Sequence, residues 1–478
     1  DLHGCLNAAR REREFAPRLN KVIEDLRAAG AIIIHAPSGC MSHYQEHPAR
    51  LRAQSVPMSK SLPPQIGAWC YSIPAEEAVD YPLDQTDGGR DDAPQEAAEW
   101  AAQLAAMGAD SLRPWTRQID LISIDGDRDY ISDSGEEIWS LLEHRGISNV
   151  ILAGVHTNMC VLGRPFGLRQ MAKNGKNVVL LRDLTDTMYN PARAPYVSHF
   201  SGNDLIVSHI ERHVCPTITS DQFLGGSPFR FRHDTRPHLV VMMAEDEYKT
   251  EETLPKFVLE ELQRDFRVTY LFGSETNRHE IPGMTVLADA DLLLVSVRRR
   301  LLPVGDMEIL KHYVASGRPV LGIRTASHAF SVKEASLPEG LADWKSFDAD
   351  LFGGNYHGHH GNTLKSTVRV VSDQPGHPLL TGVPMEPFAQ GWSLYQTSPL
   401  APGTTILMTA TLDDGSQPEE PIAWTFTRRD GGRSFYTSLG SVSDFDQPGF
   451  RTMLINAAYW AVDRLPSTST RPQPMTTP

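Results

Sequence analysis

The chain has 478 residues, 40% of them hydrophobic, and a formal net charge of -14. That length predicts two domains of about 200 residues each. So acidic a surface repels phosphate backbones and argues against a nucleic-acid partner, and no run of about 18 apolar residues predicts a membrane span. The five cysteines form no CxxC pair and no framework spacing, which favours reduced thiols and a cytoplasmic setting. The chain opens at Asp1 on polar residues that run into a helix. The expectation is that residues upstream are missing, which leaves a lost signal peptide open.

In chain order, residues 8–29 predict an amphipathic helix, with Phe15, Leu19, Val22, Ile23 and Leu26 at helical spacing and Gly30 ending it. Ala31–Ile34 reads as a buried parallel strand running out into His35. Residues 55–115 lack periodicity and read as a long excursion, a cap or an oligomer contact. Strands are predicted at 119–124, 150–153, 178–181 and 205–207, and helices at 135–144 and from about Cys160 to Asn174. Residues 224–236 are rich in Gly, Pro and Arg and read as a linker. The pattern then restarts, with strands at 239–243, 268–271, 292–297 and 319–323 and a helix at 306–316. From about residue 365 the chain is strand-rich, closing on a helix at 450–462 and a Pro- and Thr-rich tail read as disordered. The fold class is therefore α/β: two tandem Rossmann-like α/β/α domains with mainly parallel sheets, over 1–223 and 237–464, with the tail at 465–478.

The segment Gly154-Val155-His156-Thr157-Asn158-Met159-Cys160 lies between a predicted strand and a predicted helix. A cysteine at a helix N-terminus faces main-chain N–H groups, which stabilise a thiolate and can hold a developing oxyanion. The alternative is a small buried core residue. The run GVHTNMCV, followed by a helix and a strand leading to Arg182-Asp183, resembles the isochorismatase-like superfamily of cysteine hydrolases over roughly residues 1–222. The resemblance implies Cys160 as nucleophile, a cis peptide between Val155 and His156, and an oxyanion hole from the N–H groups of His156 and Cys160. In amidase members such as nicotinamidases the thiolate attacks an amide carbonyl; in isochorismatase a vinyl ether is cleaved.

The family triad adds an Asp after the first strand and a Lys after a middle strand. Here the first strand is not seen, and Asp1 is that Asp or an acidic residue a few positions past it. At the expected end of the 119–124 strand stands Ser123-Ile124-Asp125-Gly126-Asp127, with no lysine. The partner of Cys160 is then His156 or His35, or the domain binds without catalysis.

His3, His35, His43, His47 and His156 flank strand ends and are read as a possible convergence on one rim, so a divalent metal is left open, with no cofactor required. The nicotinamidase Asp-x-His motif is not reproduced there. Asp183, Asp186, Tyr189 and His199 read either as a site rim or as caps and turns. Arg164 and Arg169 read as attractors of an anionic substrate or as solvated, salt-bridged residues.

In the second half, GIRTASHAF at 322–330 follows a predicted strand as a nucleophile elbow would. With GGNYHGHHGN at 353–362, HPLLTGVP at 377–384, GGRSFYTSLG at 431–440 and NAAYWA at 456–461, it resembles the ThuA-like family, whose fold is that of class I glutamine amidotransferases. That resemblance implies a carbohydrate-related role. No cysteine occurs in this half, so thiol-based glutaminase chemistry is excluded. Ser327, His328, His357, His359 and His360 remain as a second candidate site for acid–base or metal work. The expected partners are a small-molecule substrate and, by analogy with isochorismatase-like proteins, further copies of the chain.

Overall fold

A computed structural model of the chain describes residues 2–332, 337–371, 374 and 376–464. Asp1 and the tail from residue 465 lie outside the described residues. The chain falls into two compact units, Asp1–Thr235 and Arg236–Pro478. Among the described residues, no helix is long and apolar enough to cross a membrane.

The first unit begins with α1 (Leu6–Ala28), whose buried Phe15, Leu19 and Val22 recur at helical spacing. Asp92 accepts hydrogen bonds from the Leu6 and Asn7 N–H groups, both 2.8 Å, and so caps the helix from a distant loop. Its strands are β1 (Ile34–His35), β2 (Tyr130–Ile131), β3 (Asn149–Val155), β4 (Asn177–Asp186) and β5 (Thr217–Ile218). They form two separate parallel sheets, β1-β2 and β3-β4-β5. Ile32–Ile34 on one side and Val150–Leu152 on the other line one cavity of about 2170 Å³. Ile151 is 40% exposed. The predicted buried strand Ala31–Ile34 is accordingly confined to Ile34–His35, and Ala31 is exposed. A strand becomes fully buried only when neighbours cover it, and here one edge faces a cavity.

Four further expectations are corrected. Residues 119–124 form no strand; the middle strand is β2, reached through a turn in which Asp125 accepts from the Asp127 and Arg128 N–H groups. The predicted helix 160–174 is broken: a π-turn at Thr157–Val161 is followed by bends around Pro165 and Gly167, then by a short helix at Leu168–Lys173. Residues 205–207 lie inside the helix His199–His213, whose N-cap Ser198 accepts from the Ser201 N–H. The stretch read as a linker is anchored: Phe231 is buried, with Phe15 and Phe200 rings 6.3 and 5.5 Å away.

The second unit is built on one nine-stranded sheet. Its strands are β6 (His238–Ala244), β7 (Arg267–Phe272), β8 (Leu292–Val297), β9 (Val320–Ile323), β10 (Ser366–Val370), β11 (Phe388–Ala389), β12 (Thr405–Leu412), β13 (Glu420–Thr427) and β14 (Arg433–Thr437). The order is β11-β10-β12-β13-β14-β9-β8-β6-β7. From β14 to β7 all pairs are parallel; from β11 to β14 all are antiparallel. Leu239, Val241 and Met243 pack into one core with the helices Thr250–Glu261 and Pro448–Ala461. Val240, Met242 and Ala244 pack into another with the helices Val304–Ala315 and Phe347–Phe352. This two-sided burial explains the near-continuous apolar runs of β6 and β8.

In the first unit Glu76 is buried and binds Arg169 in bidentate fashion (2.7 and 2.6 Å) and His209 Nε2 (2.8 Å). Arg169 is therefore a buried structural cation, not a surface attractor of substrate. Burial pushes the Glu76 carboxyl up, but hydrogen bonds from His209 and Arg169 hold it at about 2. Because the folded value lies below the unfolded one, the stabilisation is complete above pH about 4.5 and is lost as pH falls toward 2. Glu76→Ala strands Arg169 in the interior and is expected to cost about 3–5 kcal/mol in urea unfolding at pH 7. The difference from wild type should shrink below pH 4.

Candidate functional site

In the first unit, the end of β3 leads into the π-turn that carries Cys160. Four hydrogen bonds fix that turn. Thr157 Oγ1 lies 2.6 Å from Thr185 Oγ1, which donates to the Gly154 carbonyl at 2.7 Å. Asn158 clamps the end of β4 by donating to the Met188 carbonyl (2.8 Å) and accepting from the Met188 N–H (3.0 Å). The Val155–His156 peptide is cis, the position at which the sequence resemblance implies one. Cys160 is half-buried and lines the cavity together with His3, Glu12 and His156.

His156 is buried, and its Nε2 lies 3.0 Å from His3 Nε2 and 3.5 Å from Glu12 Oε1. Burial and the neighbouring His3 push its imidazole down to about 3; burial also lowers His3. Burial and the nearby Asp186 raise Glu12 to about 7. Behind this group, fully buried Asp186 binds Arg11 Nε (2.8 Å) and His199 Nε2 (2.9 Å). Burial opposes its ionisation, but His199 and Arg11 hold the carboxyl well below the usual range. Arg11 also binds Asp91 at 2.7 Å, which ties α1 to the loop before the helix Pro94–Ala106.

Other predicted residues do different work. His35 lines the same cavity, but Nδ1 meets Gln118 Oε1 (2.9 Å) and Nε2 meets Asp129 (3.1 Å), so both ring nitrogens are engaged. Asp129 is also held by Arg27. Asp183 accepts from the Ser220 N–H and hydroxyl and from the Phe229 N–H, which ties β4 to those distant segments; it forms neither a helix cap nor a local turn. Tyr189 is buried, and its hydroxyl donates to the Arg193 carbonyl. Arg164 lines the cavity with its guanidinium 4.9 Å over the Trp69 ring. His47 caps the helix Pro48–Gln54, and His43 packs edge-on against Tyr44; neither joins His3 and His156. The position after β2 holds Ser132 and Asp133, so moving the middle strand supplies no lysine.

In the second unit, the elbow after β9 places Arg324 at φ +43°, a backbone region most residues avoid. Its side chain is fully buried. It donates to the Ser438 and Ser393 carbonyls (2.7 and 3.1 Å) and lies 4.6 and 4.3 Å over the Tyr248 and Tyr395 rings. Ser327 Oγ is 3.1 Å from His328 Nδ1, and His328 stacks on Tyr356 at 4.4 Å. His357, His359 and His360 do not gather: His357 and His359 are exposed, whereas His360 is buried with Nε2 3.9 Å from Glu420. Residues 358–359 form a two-residue strand, and successive side chains on a strand point to opposite faces.

Asp348 is a member of this site that sequence reading missed. Its Oδ2 accepts from the Tyr356 N–H at 2.8 Å, while Oδ1 is buried without a hydrogen bond. The available signal was Gly354: a Cβ there would sit 2.2 Å from Asp348 Oδ1. Burial raises the Asp348 carboxyl to about 7. A carboxyl raised in the folded state binds more protons than in the unfolded chain, so stability falls as pH rises from about 4 to about 7. Asp348→Asn is expected to remove that decline, giving a melting-temperature gain over wild type that grows between pH 5 and 8.

Residues 240–461 match the family model described as ThuA, trehalose utilisation. No curated protein matches the chain. Similar solved structures include a protein from Bacteroides uniformis described as ThuA-like, 16% identical over 50% of this chain and 96% of that one, with a TM-score of 0.36. Another, from Parabacteroides merdae and described in the same way, is 19% identical over 50% and 94%, with a TM-score of 0.35. A cytoplasmic protein of Salmonella typhimurium is 11% identical over 47% and 98%, with a TM-score of 0.33. The C-terminal region of this chain is a ThuA-like domain.

Proposed function

We propose that the first unit is a cysteine-dependent hydrolase of a small-molecule amide or related bond, of the isochorismatase-like kind, and that the ThuA-like domain serves a linked step on a carbohydrate. One observation carries the first part: a half-buried Cys160, fixed on a turn after a parallel strand, opens on a large cavity that His156 also lines. In this reading the Cys160 thiolate attacks the substrate carbonyl. The N–H groups of His156 and Cys160 hold the oxyanion, the amine leaves with a proton, and water releases the acyl group. His35 is not the partner of the thiol, because both its nitrogens are engaged. His156, with His3 and Glu12 against it, supplies the polar groups beside the turn. The carbohydrate part is supported by the family match and by a run of aromatic faces around Arg324: Tyr248, Tyr395 and Tyr356, with Trp392 46% exposed beside Tyr248.

A second reading, binding without catalysis, is favoured by the residues after β2, which include no lysine, and by the buried Arg324 side chain at the elbow. Turnover of a panel of small amides separates the two. Cys160→Ala and alkylation of the wild-type thiol should each lower kcat at least about a thousandfold, with unchanged circular dichroism. Full activity in Cys160→Ala would refute the hydrolase. Thermal stabilisation by the same amides without product would establish the binder.

A further inference from the structure

We infer that His3, Glu12 and His156 form a binding site for one divalent transition metal of the zinc class, with the remaining coordination open to the cavity. Three ligand atoms, His3 Nε2, a Glu12 carboxylate oxygen and His156 Nε2, lie within 4.8 Å of one another. The two separations, 3.0 Å between the imidazole nitrogens and 3.5 Å from His156 Nε2 to Glu12 Oε1, bracket the spacing a metal imposes. With metal–nitrogen and metal–oxygen bonds of about 2.0–2.2 Å, tetrahedral ligands sit about 3.3 Å apart.

A plain N–H···N hydrogen bond accounts for the His pair but not for Glu12. Its Oε1 is buried and accepts no hydrogen bond among the described residues, and an uncompensated buried carboxylate oxygen is costly. A cation between the three groups supplies what that oxygen lacks. His3 Nδ1 lies 3.1 Å from the Cys5 carbonyl and 3.0 Å from the Cys5 N–H, which donates to it in the metal-free tautomer; metal binding through Nε2 takes the other tautomer, in which Nδ1 donates to that carbonyl. His3 is itself held: its carbonyl accepts from Trp100 Nε1 at 2.8 Å, and its ring stacks with Trp115.

The ligand set, two imidazoles and one carboxylate, suits zinc better than calcium or magnesium, which prefer oxygen. All three residues line the cavity, so a water or a substrate oxygen can complete the shell. The other cluster of ligand types, Cys5, Asp91 and Asp92, is already used: Asp92 caps α1 and Asp91 pairs with Arg11. His35, at the end of β1, takes no part, since both its ring nitrogens are engaged.

The test is zinc binding by the full chain after chelator treatment, read by competition with a chromogenic chelator, and by the visible spectrum of the cobalt-loaded protein. Wild type should take up one equivalent and show the intense bands of a low-coordinate cobalt site. His3→Ala and Glu12→Gln should each weaken binding by about a hundredfold or more, while His359→Ala, in the exposed histidine run, leaves it unchanged. Circular dichroism checks that each variant is folded. Absence of stoichiometric binding in wild type, binding unchanged in both His3→Ala and Glu12→Gln, or loss of binding in His359→Ala would overturn the assignment. The readout is metal uptake and needs no turnover, so it stands or falls apart from the hydrolase proposal.

Discussion

Burying the Asp186 carboxylate is the constraint around which the first unit's site is arranged. An isolated carboxylate in the interior is very costly, so Arg11 and His199 must both reach it. Arg11 comes from α1 and His199 from the N-terminal end of the helix His199–His213, so one ion cluster fixes two helices to the end of β4. Arg11 also holds Asp91, whose neighbour Asp92 caps α1. Glu12 is the next residue on that helix and His3 lies just before it. Both are thereby set against His156, four residues ahead of Cys160.

The second unit solves a comparable problem with a cation. Arg324 is fully buried and no carboxylate among the described residues contacts it; two carbonyls and two aromatic faces take up its charge instead. The same rings extend to Tyr356 and His328, and Asp348 supports that loop through the Tyr356 N–H. The elbow after β9 holds a structural cation in Arg324, with Ser327 and His328 beside it.

Much of the second unit was legible because its strands are covered on both faces. β6 and β8 are near-continuous apolar runs that admit few other readings. The first unit was harder. Residues 119–124 carry the apolar alternation of a strand, but the ladder forms at Tyr130–Ile131, where His35, Asp129 and Arg27 interlock. Leu205–Val207 is apolar enough for a strand, yet the Ser198 cap commits it to a helix. Of the candidate residues, His156 and Cys160 were found from a seven-residue turn. Glu12 was not, since an acidic residue on an amphipathic helix reads as solvated until its neighbours are known.

The amino-acid order alone determined the two α/β units, the turn that carries Cys160, and the absence of a thiol from the second half, because local periodicity, turn chemistry and composition need no partners. It also determined that no lysine stands at 123–127, where the isochorismatase-like proteins that the segment resembles keep one. Only the tertiary structure decided that His3, Glu12 and His156 meet, that His35 is committed to Gln118 and Asp129, and that His357, His359 and His360 do not converge. Such meetings join residues as far as 153 positions apart. Their outcome rests on which buried charges must be compensated, a property of the packed chain that no short window of sequence contains.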